Sequence, residues 1–233
     1  MGPSVGTVTL VVAHRGASDA HPPGNTLAAF AAAVSLGADW VELDVHLTVD
    51  GVPVVHHDPD LADGRALGEL TCAELPDFVP TLAEATDACG PLGVNVEIKP
   101  DGPIGLRSAL IDGVVDLLGA TGRPERFLVT SFDHSIVARV RALAPALPTG
   151  LLTMEAAGLS GVLDRAADEG HAAVVPWWAL VDEAFVGRAH ARGIGVNVWT
   201  VDDPDQMGRL VDIGVDALIT NVPDVGRAVV SGG

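Results

Sequence analysis

Lysine is almost missing from this chain. Of thirteen basic residues among 233, twelve are arginine and one is Lys99. Bases are scarce altogether: thirty-one acids leave a formal net charge of −18. That charge argues against nucleic acid or an anionic membrane as a general partner. It does not exclude an anionic substrate, because a bound metal inverts the local field. Cysteine is scarce too. Cys72 and Cys89 form no CxxC and have no neighbouring ligand pair, so free thiols in a reducing, cytoplasmic compartment are expected. No apolar run reaches the length of a membrane-spanning helix, and no stable membrane insertion is expected. The N-terminus carries no basic region ahead of its short apolar segment, which reads as a first strand. Repeats, low-complexity tracts and linkers are also lacking, so residues 1–233 read as one domain, with 231–233 as a frayed tail.

What is present is an alternation. Apolar strand-like segments fall at 8–13, 40–45, 52–56, 93–98, 127–132, 149–152, 173–176, 195–200 and 217–220. Alanine-rich helical stretches lie between most of them, at 27–36, 82–89, 108–118, 135–143, 160–168, 182–192 and 204–211. The pattern predicts an α/β fold with a parallel sheet. Nine strands are one too many for a (β/α)8 barrel. Only six residues separate Val45 from Val52, however, and they end in Asp50-Gly51. A parallel crossover needs a dozen residues, whereas Asp-Gly closes a hairpin. With 52–56 folded back as an antiparallel arm on strand 2, eight strands remain, which predicts a TIM barrel.

The chemistry concentrates at predicted strand ends. Glu42 and Asp44 alternate onto one face of an apolar strand. Two carboxylates buried side by side repel each other and lose hydration, so they require a shifted pKa or a cation. A hard divalent metal bound through oxygen is the economical answer. The hairpin returns His56, His57 and Asp58 to the same rim. Strand 1 ends in His14-Arg15, the third strand of the barrel in Glu97 and Lys99, and later ones in Ser131-Phe132-Asp133, Trp177-Trp178, Trp199-Thr200 and Asn221. Lys99 beside Glu97 marks a place where a compact ammonium is needed. Taken singly, His14 reads as a backbone-bonded histidine, Trp177 and Trp199 as core, and Asn25-Thr26 as a helix cap. Cys72, Cys89, His134, His171 and His190 carry no functional signal, and His21 is ambiguous. Convergence of acids and histidines on one mouth is much harder to obtain by accident.

These residues also carry a resemblance. Ala13-His14-Arg15-Gly16, Pro23-Gly24-Asn25-Thr26-Leu27, Gly37-Ala38-Asp39-Trp40-Val41-Glu42-Leu43-Asp44-Val45, Asp50-Gly51 and Val54-Val55-His56-His57-Asp58 are similar to the glycerophosphodiester phosphodiesterase family. Val96-Glu97-Ile98-Lys99, Ser131-Phe132-Asp133, Val196 to Val201 and Asp216 to Asn221 follow in order. The resemblance implies a TIM barrel of the phosphatidylinositol-phospholipase-C-like type, to which the Asp50-Gly51 pattern adds a hairpin after strand 2. It implies hydrolysis of glycerophosphodiesters to glycerol 3-phosphate and an alcohol. It makes Glu42, Asp44 and Glu97 ligands of one divalent metal ion, Mg²⁺ or Ca²⁺. It makes His14 and His57 the acid–base pair, Arg15 and Lys99 the phosphate cations, and Trp199 a wall near the glycerol. Three departures stand out: Gly24 where the family usually has Glu, Asn221 where it usually has Asp, and a segment from Asp58 to Glu97 shorter than the family's usual insertion, which gives a reduced cap insertion.

The expected reaction is metal-assisted acid–base cleavage, with either histidine as base and either water or the substrate's own glycerol hydroxyl as nucleophile. The expected partner is a small-molecule glycerophosphodiester or, given the short segment from Asp58 to Glu97, a lysophospholipid. The latter makes lysophospholipase D the rival activity. Gly24 motivates a third alternative, a weakened barrel that binds phosphodiesters without turnover. No pattern in the chain assigns an oligomeric state.

Overall fold

The computed structural model describes residues 8–101 and 104–232. Eight parallel strands form the barrel: Leu10–His14 (β1), Trp40–Leu47 (β2), Gly93–Ile98 (β4), Phe127–Ser131 (β5), Thr149–Thr153 (β6), Ala173–Pro176 (β7), Gly195–Val198 (β8) and Ala217–Thr220 (β9). Each pairs with the next, and β1 pairs with both β9 and β2, which closes the ring. The remaining strand, Pro53–Val55 (β3), runs antiparallel to β2. The Asp50-Gly51 hairpin therefore forms as expected, with Thr48 Oγ1 donating to Asp50 Oδ1 at 2.6 Å across the turn. Val45 pairs with Ile98 of β4 and with Val55 of β3, so β3 lies along the edge of β2 that β1 leaves at His14↔Glu42. That geometry delivers the residues after Val55 to the end of β1.

Strand alternation sorts the β2 side chains. Val41, Leu43 and Val45 join the layer between barrel and helices, packed with Phe30, Leu82, Ile98 and Phe127. Each such side chain contributes roughly 1.5–3 kcal/mol when fully buried. Glu42 and Asp44 alternate to the other face, the barrel interior. The lower interior is filled by Val12, Leu152, Val175, Ala217 and Ile219, with Trp40 and Trp199 packed against them. Trp40 explains Gly93, its register partner: a Cβ there would fall 2.2 Å from the indole ring.

The helices are Leu27–Ser35 (α1), Leu82–Ala88 (α2), Ile104–Ala120 (α3), His134–Leu143 (α4), Leu159–Glu169 (α5), Glu183–His190 (α6), Pro204–Asp212 (α7) and Pro223–Ser231 (α8). The last has no counterpart among the helical segments expected from sequence. It takes in Ser231, the first residue of the expected tail, and packs against α7 and β1, while Gly233 lies outside the described residues. Thr26 caps α1 by accepting from Ala29 N. Between β3 and β4, two 3-10 turns, Leu67–Glu69 and Cys72–Glu74, fold over a small apolar cluster of Val54, Leu61, Leu67 and Val79. This is the segment where the sequence leads us to expect a reduced cap. Among the described residues, no helix is long and apolar enough to cross a membrane.

Candidate active site

Three carboxylates meet inside the barrel mouth. Glu42 and Asp44 come from β2, and Glu97 comes from β4, where it is the register partner of Asp44. All three are buried, Asp44 most deeply at 1% exposure. One oxygen of each lies within 4.8 Å of the others. Lys99 reaches back from just beyond β4, with Nζ 2.7 Å from Asp44 Oδ1 and 2.6 Å from Glu97 Oε1. Arg15, at φ +57°, donates its backbone N–H to Glu42 Oε2 at 3.0 Å and brings Nε to 3.3 Å from Asp44 Oδ2.

Three buried negative charges thus face two cations. Burial raises Glu42 well above the usual carboxylate range, and the charges of Asp44 and Glu97 add to it. Burial acts the same way on Asp44, but the Lys99 and Arg15 charges overcome it and hold that carboxyl below its ordinary value. Glu97 is raised, by burial first, against the pull of Lys99. Lys99 is raised in turn: burial opposes its charge, and the Asp44 and Glu97 carboxylates outweigh burial. Among the described residues, the buried side-chain polar atoms without a hydrogen-bond partner are Glu42 Oε1 and Arg15 Nε. An unpartnered carboxylate oxygen in an all-oxygen donor set fits a hard divalent cation.

The two histidines stand on opposite sides of this cluster in chain origin. His14 ends β1, with Nε2 3.9 Å from Glu42 Oε2 and Nδ1 2.7 Å from Asn221 Oδ1. Burial, helped by the Arg15 charge, lowers its pKa to about 4. His57 follows β3, half-buried, with Nδ1 2.8 Å from Asp58 Oδ1. Its carbonyl accepts from His46 Nε2 at 3.2 Å, while the backbone N–H of His56 donates to Asp44 O. His56 itself turns its ring to Asp58 O.

A cavity of about 290 Å³ opens over the cluster. His14, Arg15, Glu42, His57, Glu97 and Lys99 form its polar side, and Phe132, Leu152, Met154, Trp199 and Ile219 its apolar side. Of the eight residues singled out from sequence, seven line this cavity, and Asp44 supports it through Lys99 and Arg15. Trp199 is fixed by Nε1–H donation to Val175 O at 2.8 Å and by an edge-to-face contact with Phe132 at 5.4 Å. Asp133 lies outside it, capping α4 and pairing with Arg107. Exposed His21 also lies outside.

Three amides carry more than the sequence signalled. Asn25 does not cap α1. It is buried, sits at φ +54°, and donates Nδ2–H to Asp44 Oδ2 at 2.7 Å. Asn95 lines the cavity and accepts from Thr130 Oγ1. Asn221 backs His14 and is itself held by Asp202. The available signal for Asn25 was its place between Gly24 and the helix cap Thr26, where Asn tolerates a left-handed backbone.

Residues 14–225 match the model of the glycerophosphoryl diester phosphodiesterase family. A glycerophosphodiester phosphodiesterase of Caldanaerobacter subterraneus subsp. tengcongensis is 33% identical over 93% of this chain and 95% of its own. A crystal structure from Silicibacter pomeroyi superposes with a TM-score of 0.88, at 27% identity, covering 97% of this chain and 94% of that one. An Oleispira antarctica phosphodiesterase solved with the product sn-glycerol-3-phosphate superposes at 0.84, with 26% identity and coverage of 96% and 97%.

Proposed function

Because the chain belongs to the glycerophosphoryl diester phosphodiesterase family, whose members are phosphoric diester hydrolases, we propose that it hydrolyses glycerophosphodiesters to glycerol 3-phosphate and an alcohol. The observation that carries this is the meeting of His14 and His57 with the Glu42–Asp44–Glu97 cluster in one cavity. The product bound to the Oleispira antarctica relative supports the same substrate class.

Glu42, Asp44 and Glu97 would hold one divalent ion, Mg²⁺ or Ca²⁺. Bound there, it would neutralise charge developing on a phosphoryl oxygen. Arg15 and Lys99 fix the carboxylates and add positive field at the phosphate. One histidine takes the proton of the attacking hydroxyl, and the other returns a proton to the departing alkoxide. Trp199 and Phe132 offer the glycerol carbons an apolar face and exclude water from one side of the cavity. Residues 1–233 act as one domain, and the free thiols Cys72 and Cys89 suit a reducing, cytoplasmic setting.

A second substrate reading has its own observation. Phe132, Met154 and Trp177 are 39%, 61% and 41% exposed beyond the ends of β5, β6 and β7. The first two line the cavity, and Trp177 bridges to Trp199. An apolar flank continuous with the site suits the acyl chain of a lysophospholipid, giving lysophospholipase D activity. Kinetics on glycerophosphocholine and a lysophosphatidylcholine, with wild type and Met154→Asp, separate the two. Lysophospholipid preference predicts a loss confined to the acylated substrate. In either case His14→Ala should abolish turnover with the fold and metal affinity intact; near-wild-type turnover contradicts the proposed acid–base pair.

A further inference from the structure

We infer that His46 is a positioning residue: its ring holds the backbone carbonyl of His57 and so sets where that histidine stands over the three carboxylates. This rests on the hydrolase reading above and adds to it a side chain from outside the cavity.

His57 has little to hold it in place. It follows β3, which is only three residues long and ends at Val55. Its own side chain is 42% exposed. The contact from Nδ1 to Asp58 joins it to its neighbour in sequence, and the His56 ring is turned to Asp58 O. Those contacts travel with the segment and cannot register it against the carboxylates. Farther on, the Pro59 carbonyl accepts from the Leu67 N–H, which belongs to the 3-10 turns rather than the barrel. Among the described residues, two hydrogen bonds tie His56 and His57 to the barrel. The His56 N–H donates to Asp44 O at 3.1 Å, and His46 Nε2 lies 3.2 Å from His57 O. Both holders stand on β2, the strand that carries Glu42 and Asp44. The first is backbone and survives substitution of either residue. The second is a side chain, and there the sequence controls the arm.

Alternation brings a histidine to this point. Glu42, Asp44 and His46 share one face of β2. Pairing with β1 ends at Glu42 and with β4 at Val45. His46 therefore lies past the rim of the barrel, opposite Val54 of the returning arm. It is buried there, at 5% exposure. A buried ring N–H requires an acceptor. A carbonyl oxygen only accepts, so Nε2 carries the hydrogen. The other nitrogen, Nδ1, stands 3.7 Å from Asp101 Oδ2, beyond hydrogen-bond reach. The ring is also a wall. It lines a second cavity of about 330 Å³, together with Pro59, Asp60, Leu67, Asp101 and Leu106, whereas His57 lines the catalytic one. Asp101 and Leu106 are exposed, so small solutes reach this second cavity. Truncating His46 to alanine opens a ring-sized space that is filled from there, without passing through the active site.

The hydrogen bond is read first without turnover. In ¹⁵N NMR of histidine-labelled wild type, His46 should carry its hydrogen on Nε2. The His57 ring should give one sharp set of signals that broadens or splits in His46→Leu. A bare Nε2 at His46, or unchanged His57 signals in His46→Leu, overturns the inference whether or not the protein hydrolyses any diester. Turnover of glycerophosphocholine is then compared among the folded variants. His46→Leu fills the space but donates nothing. It should lower kcat roughly 10–100-fold, the scale of misplacing a reacting group by about 1 Å, with KM and Mg²⁺ affinity nearly unchanged. His46→Gln offers an amide N–H near the Nε2 position and should recover most of that loss. A His46→Leu protein that is less stable but keeps wild-type kcat has lost packing alone and contradicts the positioning role. In His46→Ala, added imidazole should restore kcat. N-methylimidazole, with no N–H to donate, should not, and neither should alter wild type. Rescue by both, or by neither, contradicts the hydrogen bond to His57.

Discussion

Lys99 Nζ sits 2.7 Å from Asp44 Oδ1, so the chain's single lysine is spent on its most buried carboxylate. The same ammonium touches Glu97 at 2.6 Å. Removing it leaves Asp44 with Arg15 alone and Glu97 with no cation in contact. Lys99→Met should therefore cost about 3–5 kcal/mol of stability, the range for stranding a buried charge, and should abolish turnover. Lys99→Arg should not rescue it, because a planar guanidinium cannot place one compact charge between two carboxylates this close. Urea denaturation and kcat for both variants check this. Wild-type stability in Lys99→Met would remove Lys99 from the account of the cluster.

Glu42 links metal binding to pH. Its carboxyl lies well above its ordinary value of 4.5 through burial and the charges of Asp44 and Glu97. A raised folded-state value means that its contribution to stability is fully present below 4.5 and lost as pH rises toward the raised value. A divalent cation supplies the missing countercharge, so its stabilising effect should grow with pH. His14 works from the other side: lowered to about 4, it makes the fold lose stability as pH falls from 6.5 toward that value. The rise in Tm on adding Mg²⁺ or Ca²⁺ should be larger at pH 8 than at pH 5, and EDTA should reverse it. Saturation at a hundred times Kd corresponds to about 2.7 kcal/mol. Equal shifts at both pH values would contradict the role of Glu42.

Gly24 is fixed by the backbone. Its φ is +80°, and a Cβ there would lie 2.9 Å from the Cβ atoms of both Arg15 and Ser18. Gly24→Glu, the change toward the family's usual residue, should therefore lower stability by roughly 1–3 kcal/mol and fail to raise metal affinity. Gly24→Ala should share most of the stability loss, since the clash begins at Cβ. Isothermal titration with Mg²⁺ and thermal melts of both variants check this.

Asn25 holds the same carboxylate as Lys99 from the opposite side in sequence. Its Nδ2 donates to Asp44 Oδ2 at 2.7 Å while its backbone stays left-handed at φ +54°. Asn25→Gly keeps that backbone available and deletes this hydrogen bond together with the longer one in which Asn25 Oδ1 accepts from the Asp44 backbone N–H. It should cost about 1–3 kcal/mol and lower kcat more than it raises KM. A variant that raises KM alone would place Asn25 on substrate rather than on Asp44.

The barrel was legible because its strands are short apolar runs separated by helical stretches, and β4, β7 and β9 lie where the pattern put them. The hairpin was legible because Asp50-Gly51 leaves no room for a crossover. Helix α8 was not, because it follows the last strand after two residues and lacks a side-chain cap; its signals were Pro223 at the first turn and Asp224 after it. The site divided in the same way. Carboxylates, histidines and a lone lysine on apolar strands are conspicuous, since burying them is costly. Asn25 and Asn221 are neutral, and local sequence explains them as a cap and a strand end. Their functions lie in contacts with Asp44, 19 residues away, and His14, 207 residues away.

Release of glycerol 3-phosphate from glycerophosphocholine by the purified protein, in EDTA and then with Mg²⁺ or Ca²⁺ restored, tests the proposed activity most directly. Release should be absent in EDTA, return with a divalent ion, and vanish again in Glu97→Gln. Release that persists undiminished in EDTA would contradict the metal role of the three carboxylates. No release of glycerol 3-phosphate or lysophosphatidate from any glycerophosphodiester or lysophospholipid, with either ion, would contradict the proposed hydrolase.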